Sequence, residues 1–184
     1  SWPRLLEGTP AVGLAVINPA TGPGNQPDER YRATVKRARD RGITVLGYVH
    51  TSYTQRASEV VRDEVDRYRT WYGVDGIFFD EATALCPADG APASQLAYYQ
   101  ALFTHVKEQG GTVVLNPGRP AGECYMAVAD IIVSFEHSYD DYLQRYQAPA
   151  WTAKYPPSRF WHLVFAAPEQ PDAIRTAVQL GRER

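Results

Sequence analysis

The sequence predicts an α/β fold, a (β/α)8 barrel of the TIM type, with about six of its strands visible in these 184 residues. Three observations carry that expectation. Short apolar runs rich in β-branched residues alternate with longer amphipathic helical stretches. Each run is nearly continuously apolar, as strands of a parallel sheet covered on both faces are. Polar residues then collect where the runs end: Asn18, His50, Asp80 with Glu81, Asn116, Glu136 with His137, and Trp161 with His162. In a closed barrel the carboxyl ends of the strands converge on one mouth, whereas in an open doubly wound sheet they are strung along an edge. The glycines do not form GxGxxG between a strand and a helix, which argues against a dinucleotide site.

In chain order, residues 11–17 (AVGLAVI) read as a buried strand that ends at Asn18-Pro19 and a glycine-rich turn. A helix follows over 27–41, with Asp28 and Glu29 in its first turn and basic residues toward its end, the polarity a helix dipole favours. Residues 43–49 (ITVLGYV) form the second strand. Residues 57–72 have helical spacing through Val60, Val61, Val65, Tyr68 and Trp71, closed by Gly73. The third strand, 74–79 (VDGIFF), runs directly into Asp80-Glu81, and a loop with Cys86, Pro87 and Pro92 leads to a helix over 94–109. Strands at 112–115 (TVVL), 130–135 (DIIVSF) and 160–165 (FWHLVF) and a helix over 171–180 complete the pattern. The chain starts and stops in helical sequence, around Trp2, Leu5 and Leu6 and over 178–184, so the strands that would complete an eight-stranded barrel are not visible in it. Residues 1–184 are expected to form a single barrel domain.

Composition narrows the function. A net charge of −2 and a pI of about 6.1 leave no electrostatic footprint for nucleic acid. No apolar run reaches the ~20 residues of a membrane span, no stretch suits a membrane surface, and SWPRLLEG does not read as a signal peptide. Cys86 and Cys124 are too few and too far apart for structural zinc, and the sequence leaves open whether they form a disulfide or two separate thiols. Twelve Tyr and four Trp outnumber six Phe, so most rings combine an apolar face with a polar handle, as surfaces that stack on sugars do.

The acidic residues are the sharpest signal. Asp80-Glu81 closes one apolar strand and Glu136 closes another. A single acid in such a place is often a helix N-cap or loop polarity. Two strand ends of one chemistry, at the place where barrel active sites lie, fit glycosidic cleavage, which needs one carboxyl to protonate the leaving oxygen and another to attack carbon or activate water. Asp80, Glu81 and Glu136 are therefore the catalytic candidates. Asn18, Tyr48, His50, Tyr53, Asn116, His137, Trp161 and His162 are candidates for binding substrate, with Tyr125 and Tyr139 as further rings. A metal centre through His50, His137 and His162 is the rival reading, but no HxH or HExxH spacing supports it, and neither metal nor cofactor is expected. GxSxG is absent, so acyl-enzyme chemistry is not supported.

INPATGPG (17–24), LGYVHTSY (46–53), VDGIFFDE (74–81), VLNPG (114–118) and SFE (134–136), in this order, resemble the spherulin-4-like proteins, a group that includes glycoside hydrolase family 135. The resemblance implies a (β/α)8 barrel, typically secreted, that cuts α-1,4-linked N-acetylgalactosamine inside microbial exopolysaccharides such as galactosaminogalactan. It places the family's catalytic acids on Asp80, Glu81 and Glu136. It departs at the ends, where the family's flanking strands, one with a PxY-type motif, are missing here. With an α-linked substrate the 2-acetamido group is cis to the leaving group and cannot assist from the back face, so a retaining enzyme needs its own carboxylate nucleophile. By analogy with barrels that cleave α-galactosides, Asp80 is the expected nucleophile, Glu136 the acid/base, and Glu81 a residue that orients substrate; the reverse of Asp80 and Glu81 stays open. Alternatives are a sugar-binding barrel without turnover and a glycosidase of deacetylated galactosamine polymer. The expected partner is a poly- or oligosaccharide, with no nucleic acid, no membrane insertion and a monomeric state.

Overall fold

A computed structural model describes residues 2–7 and 12–183. Six strands, β1 (Leu14–Ile17), β2 (Thr44–His50), β3 (Gly76–Asp80), β4 (Thr112–Leu115), β5 (Ile131–Ser138) and β6 (Phe160–Phe165), form one sheet in sequential order, every neighbouring pair parallel. Helices α1 (Trp2–Glu7), α2 (Glu29–Arg39), α3 (Ser58–Tyr72), α4 (Ala93–Glu108), α5 (Tyr139–Gln144) and α6 (Pro171–Glu183) accompany them. The six strands and the longer helices lie where the sequence places them, with ends shifted by a few residues. Ala11, the expected start of the first strand, lies outside the described residues, as does Arg184 at the end of the last helix. The short helix α5 and the 3-10 turn at Ala150–Lys154 were not foreseen, because residues 139–159 carry neither apolar period for long.

The sheet is curled. Phe78 on β3 and Trp161 on β6 have ring centroids 6.3 Å apart, whereas three strand spacings in a flat sheet amount to about 14 Å. Its concave face is lined by Leu46, Phe78, Val114 and Val133, with Leu14, Tyr48, Ile131, Trp161 and Leu163 packed against them, so all six strands contribute to one interior cluster. The alternate residues of the same strands, among them Val45, Val49, Ile77, Phe79, Val113, Leu115 and Ile132, face the helices and form the larger core. The six strands visible in the sequence thus form a curled half-barrel, and β1 and β6 do not pair among the described residues.

Local chemistry explains the helix ends. Asp28 caps α2 by accepting from the Arg30 N–H, 2.8 Å, and α3 ends on Gly73 at φ 64°, a left-handed cap that glycine adopts without strain. Gly47 has a different reason. A Cβ there would stand 2.5 Å from the ring of Tyr68, which packs flat on the strand and donates its hydroxyl to the Ile17 carbonyl.

Cys86 and Cys124 are joined, Cα to Cα 5.9 Å, across 38 residues. The bond ties the loop that leaves β3 to the 3-10 turn after β4. Gly122 passes so close beneath the Cys86 sulfur that no Cβ fits, and its N–H donates to the Ala84 carbonyl, 2.7 Å. Cross-linking a loop of this length removes chain entropy from the unfolded state. Replacing both cysteines with serine should lower unfolding stability by about 2–5 kcal/mol, read as a drop in the urea midpoint with a steeper slope, because the freed unfolded chain exposes more surface.

Candidate active site

The carboxyl ends of β2, β3, β4 and β5 bring Tyr48, Asp80, Asn116 and Glu136 into one hydrogen-bonded row. In β3 the concave-facing residues are Gly76, Phe78 and then Asp80, so alternation alone aims Asp80 into the mouth. Val114 and Asn116 follow the same parity on β4, and Leu46 and Tyr48 on β2. Beneath the row, the rings of Tyr48 and Phe78 are stacked 6.3 Å apart, and Trp161 lies against Phe78, making an aromatic floor.

Glu136 reaches this face because of a defect in its strand. Val133 faces inward, so regular alternation would send Phe135 inward as well and Glu136 outward toward the helices. A β-bulge between Val133 and Phe135 adds one residue: Val133 pairs with Trp161, Phe135 with His162, and Glu136 with Leu163. Trp161 and Leu163 both face inward, so Glu136 is carried to the concave side, while Phe135 turns out against Tyr142 and Tyr146, each 4.9 Å away.

Asn116, 2% exposed, ties the acids together. Its amide nitrogen donates to Asp80 Oδ1 at 2.9 Å and to Glu136 Oε2 at 2.8 Å, and its Oδ1 accepts from the Gly118 N–H at 3.1 Å. That last bond is an Asx-turn over Asn116-Pro117-Gly118, and it fixes which end of the amide faces the acids. Two oxygens held by one nitrogen lie no farther apart than their two bonds laid end to end. The other Asp80 oxygen accepts from the Tyr48 hydroxyl, 2.7 Å. Burial, and next the bond to Asp80, hold the Tyr48 phenol well above its ordinary pKa, so it remains a donor at neutral pH.

Glu81 belongs to a neighbouring, more exposed arrangement. It sits at φ 52°, and its side chain, 43% exposed, comes within 3.5 Å of His50 Nδ1, which also contacts the Ser52 hydroxyl at 3.1 Å. Its carbonyl accepts from the buried Thr51 hydroxyl, 2.8 Å, and from the Tyr53 N–H, 2.7 Å. Ser52, Tyr53 and Thr54 are left-handed too, with φ of 47°, 53° and 72°. Non-glycine residues adopt such values rarely and chiefly where surrounding bonds impose them. Thr51, whose hydroxyl also meets Tyr99 at 2.9 Å, is the hub of that restraint, and no sequence signal marks it.

The remaining candidates lie elsewhere. Asn18 is exposed, and its Oδ1 accepts from the Gly22 N–H, 2.9 Å, closing its own turn. His137 points outward to Asp141, 2.6 Å, and lies over Phe165. His162 is on the helix-facing side, Nδ1 2.7 Å from the Tyr142 hydroxyl, beside a cavity of about 760 Å³ that none of the three acids lines. Tyr125 and Tyr139 are buried. The three strand-end histidines thus do not converge, and no group of three His, Cys, Asp or Glu suited to a metal ion occurs among the described residues.

If the amide holds the acids in place, Asn116→Ala should leave two buried-side oxygens without their donor. A stability loss of about 1–3 kcal/mol follows, and a crystal structure of the variant should show Asp80 and Glu136 farther apart.

The model for spherulation-specific family 4 matches residues 2–183. Spherulin-4 of Physarum polycephalum is 39% identical over 127 residues, 67% of this chain; the chain spans 36% of that relative's length. Among solved structures, Sph3 of Aspergillus clavatus in complex with GalNAc superposes with a TM-score of 0.80 at 27% identity, over 98% of this chain and 78% of the other. An α/β architecture shared at that level, with a family match along almost the whole chain, makes this protein a member of the spherulin-4 family.

Proposed function

We propose that this chain is a glycoside hydrolase that cuts α-1,4-linked N-acetylgalactosamine within an exopolysaccharide, with retention, using Asp80 as nucleophile and Glu136 as acid/base. The observation that carries the reading is the single Asn116 amide that draws both acids together. Direct attack by one carboxylate calls for two carboxyls held close together, which a shared donor favours. Sph3, the similar structure, was solved with GalNAc, which supports the choice of sugar.

The hydrogen bonds divide the roles. Both Asp80 oxygens accept, one from Asn116 and one from Tyr48, so the carboxyl is held in one orientation toward the mouth, as a nucleophile must be. Glu136 accepts through Oε2 alone among the described residues, leaving its other oxygen to give and take a proton. Asp80 attacks the anomeric carbon as Glu136 protonates the departing glycosidic oxygen, giving a glycosyl ester on Asp80. Glu136 then takes a proton from water, whose oxygen attacks the same carbon and frees Asp80. Glu81 and His50, more exposed and beside the pair, hold substrate hydroxyls. The cut falls within the polymer, and the protein acts outside the cell as a monomer.

Glu136→Gln keeps the volume and removes the transferable proton, so turnover of α-1,4-N-acetylgalactosamine oligomers, followed by mass spectrometry, should fall about 10²–10⁴-fold in a folded protein. Near-normal turnover in that variant sinks the assignment. Activity should also survive prolonged EDTA treatment; loss on chelation with recovery on added zinc would return the histidines to the mechanism.

A further inference from the structure

Tyr53 stands apart from the acid pair and is held toward solvent. It lies in the run of three left-handed residues, its N–H is tied to the Glu81 carbonyl, and the residue is 51% exposed. Strain of this kind persists when surrounding bonds over-determine it, and here it presents an aromatic face beside the site. The ring borders a hollow of about 210 Å³ whose other walls include Leu85, Gln95, Pro117 and Arg119. That is below the roughly 300–1,000 Å³ of pockets that enclose a whole drug-sized ligand, and suits one ring of a chain lying across the surface. Leu85 is itself 45% exposed, so the hollow offers two uncovered apolar surfaces. Arg119 is exposed and has no ion-pair partner among the described residues, whereas eight other arginines are paired.

The walls are continuous with the acid row. One wall begins at Ala82, next to Glu81, and the other at Pro117, next to Asn116. The first is fixed in place. Thr83 is bonded to Tyr99 at 3.0 Å and to Tyr125 at 2.6 Å, and the disulfide anchors the same loop at Cys86. The hollow is thus built on the segments that leave β3 and β4, the strands whose ends carry Asp80 and Asn116.

We propose that the hollow is a distal subsite for an uncharged hexosamine unit of the same chain. The apolar face of the sugar ring lies on Tyr53 and Leu85, and Gln95 and Arg119 donate to its hydroxyl and acyl oxygens. Arg119 sets the selectivity: its guanidinium repels the ammonium of a deacetylated unit, whereas the acid row beside it attracts one. The subsite rests on the glycosidase reading.

The test is kcat/KM on α-1,4-N-acetylgalactosamine oligomers of increasing length, and on partly deacetylated ones, for wild type, Tyr53→Ala, Tyr53→Phe and Arg119→Glu. Tyr53→Ala should lose roughly tenfold on the longest oligomers, with the loss shrinking toward the shortest oligomer cleaved, and Tyr53→Phe should recover most of it. Arg119→Glu should shift preference toward deacetylated oligomers by about five- to tenfold. An equal loss at every length, no loss at all, or an unchanged preference in Arg119→Glu overturns the subsite. Should wild type cleave no oligomer, the glycosidase reading fails. Calorimetric titration of the same oligomers still reads the subsite, through weaker binding to Tyr53→Ala, and equal binding to both proteins overturns it.

Discussion

The Asn116 amide is the constraint on which the site depends. Two carboxylates brought close together repel, and nothing in the apolar sheet beneath them offsets that. One NH2 group with a donor for each acid does, and its orientation is not free, because Gly118 occupies the carbonyl end. Tyr48 then adds a donor to Asp80 on the side away from Glu136. The four groups come from four consecutive strands, so parallel registry sets their spacing, and the interior packing of Leu46, Phe78, Val114 and Val133 holds that registry from below.

A second constraint acts on Glu136. Strand parity is rigid: a side chain is on one face or the other, and only an inserted residue changes which. The bulge at Val133–Phe135 makes that exchange and settles two matters at once. It turns the acid inward, and it turns Phe135 out to join Tyr142, Tyr146 and His162 in an aromatic cluster under the helices. Removing the extra residue would place a carboxylate among those rings and a phenyl group among the acids. Site chemistry and core packing therefore favour the same irregularity.

Much of this was legible in the sequence, and what was not has identifiable causes. The strands were readable because parallel strands buried on both faces are continuous apolar runs, and the convergence of Asp80 and Glu136 followed from their positions at two strand ends. The facing of Glu136 was not readable, since SFE has the same composition with or without a bulge. His162 was expected at the mouth together with Trp161, yet adjacent strand residues oppose one another, and the ring that packs on Phe78 takes the inner place. By sequence Asn116 is a candidate for binding substrate at an Asn-Pro-Gly turn, but only the neighbouring acids reveal that the turn aims an amide. Asn18-Pro19 has a similar look and serves its own loop.

Closure of the sheet bears on these groups less than the barrel analogy suggests. A full barrel gains its mouth by bringing the first and last strands together. Here the acid row spans β2 to β5, entirely within the paired strands, and the curl that lets Phe78 on β3 meet Trp161 on β6 is already present in six. The proposed chemistry needs only that arc. The walls beyond it are a separate matter, because binding a polymer depends on surface on either side of the cut. On one side that surface is built from loops, the strained turn at Tyr53 and the disulfide-anchored segment through Leu85, rather than from strands. In the proposed chemistry the acids are thus set by strand registry, while the proposed length and charge selectivity belongs to two loops bonded to the ends of those strands.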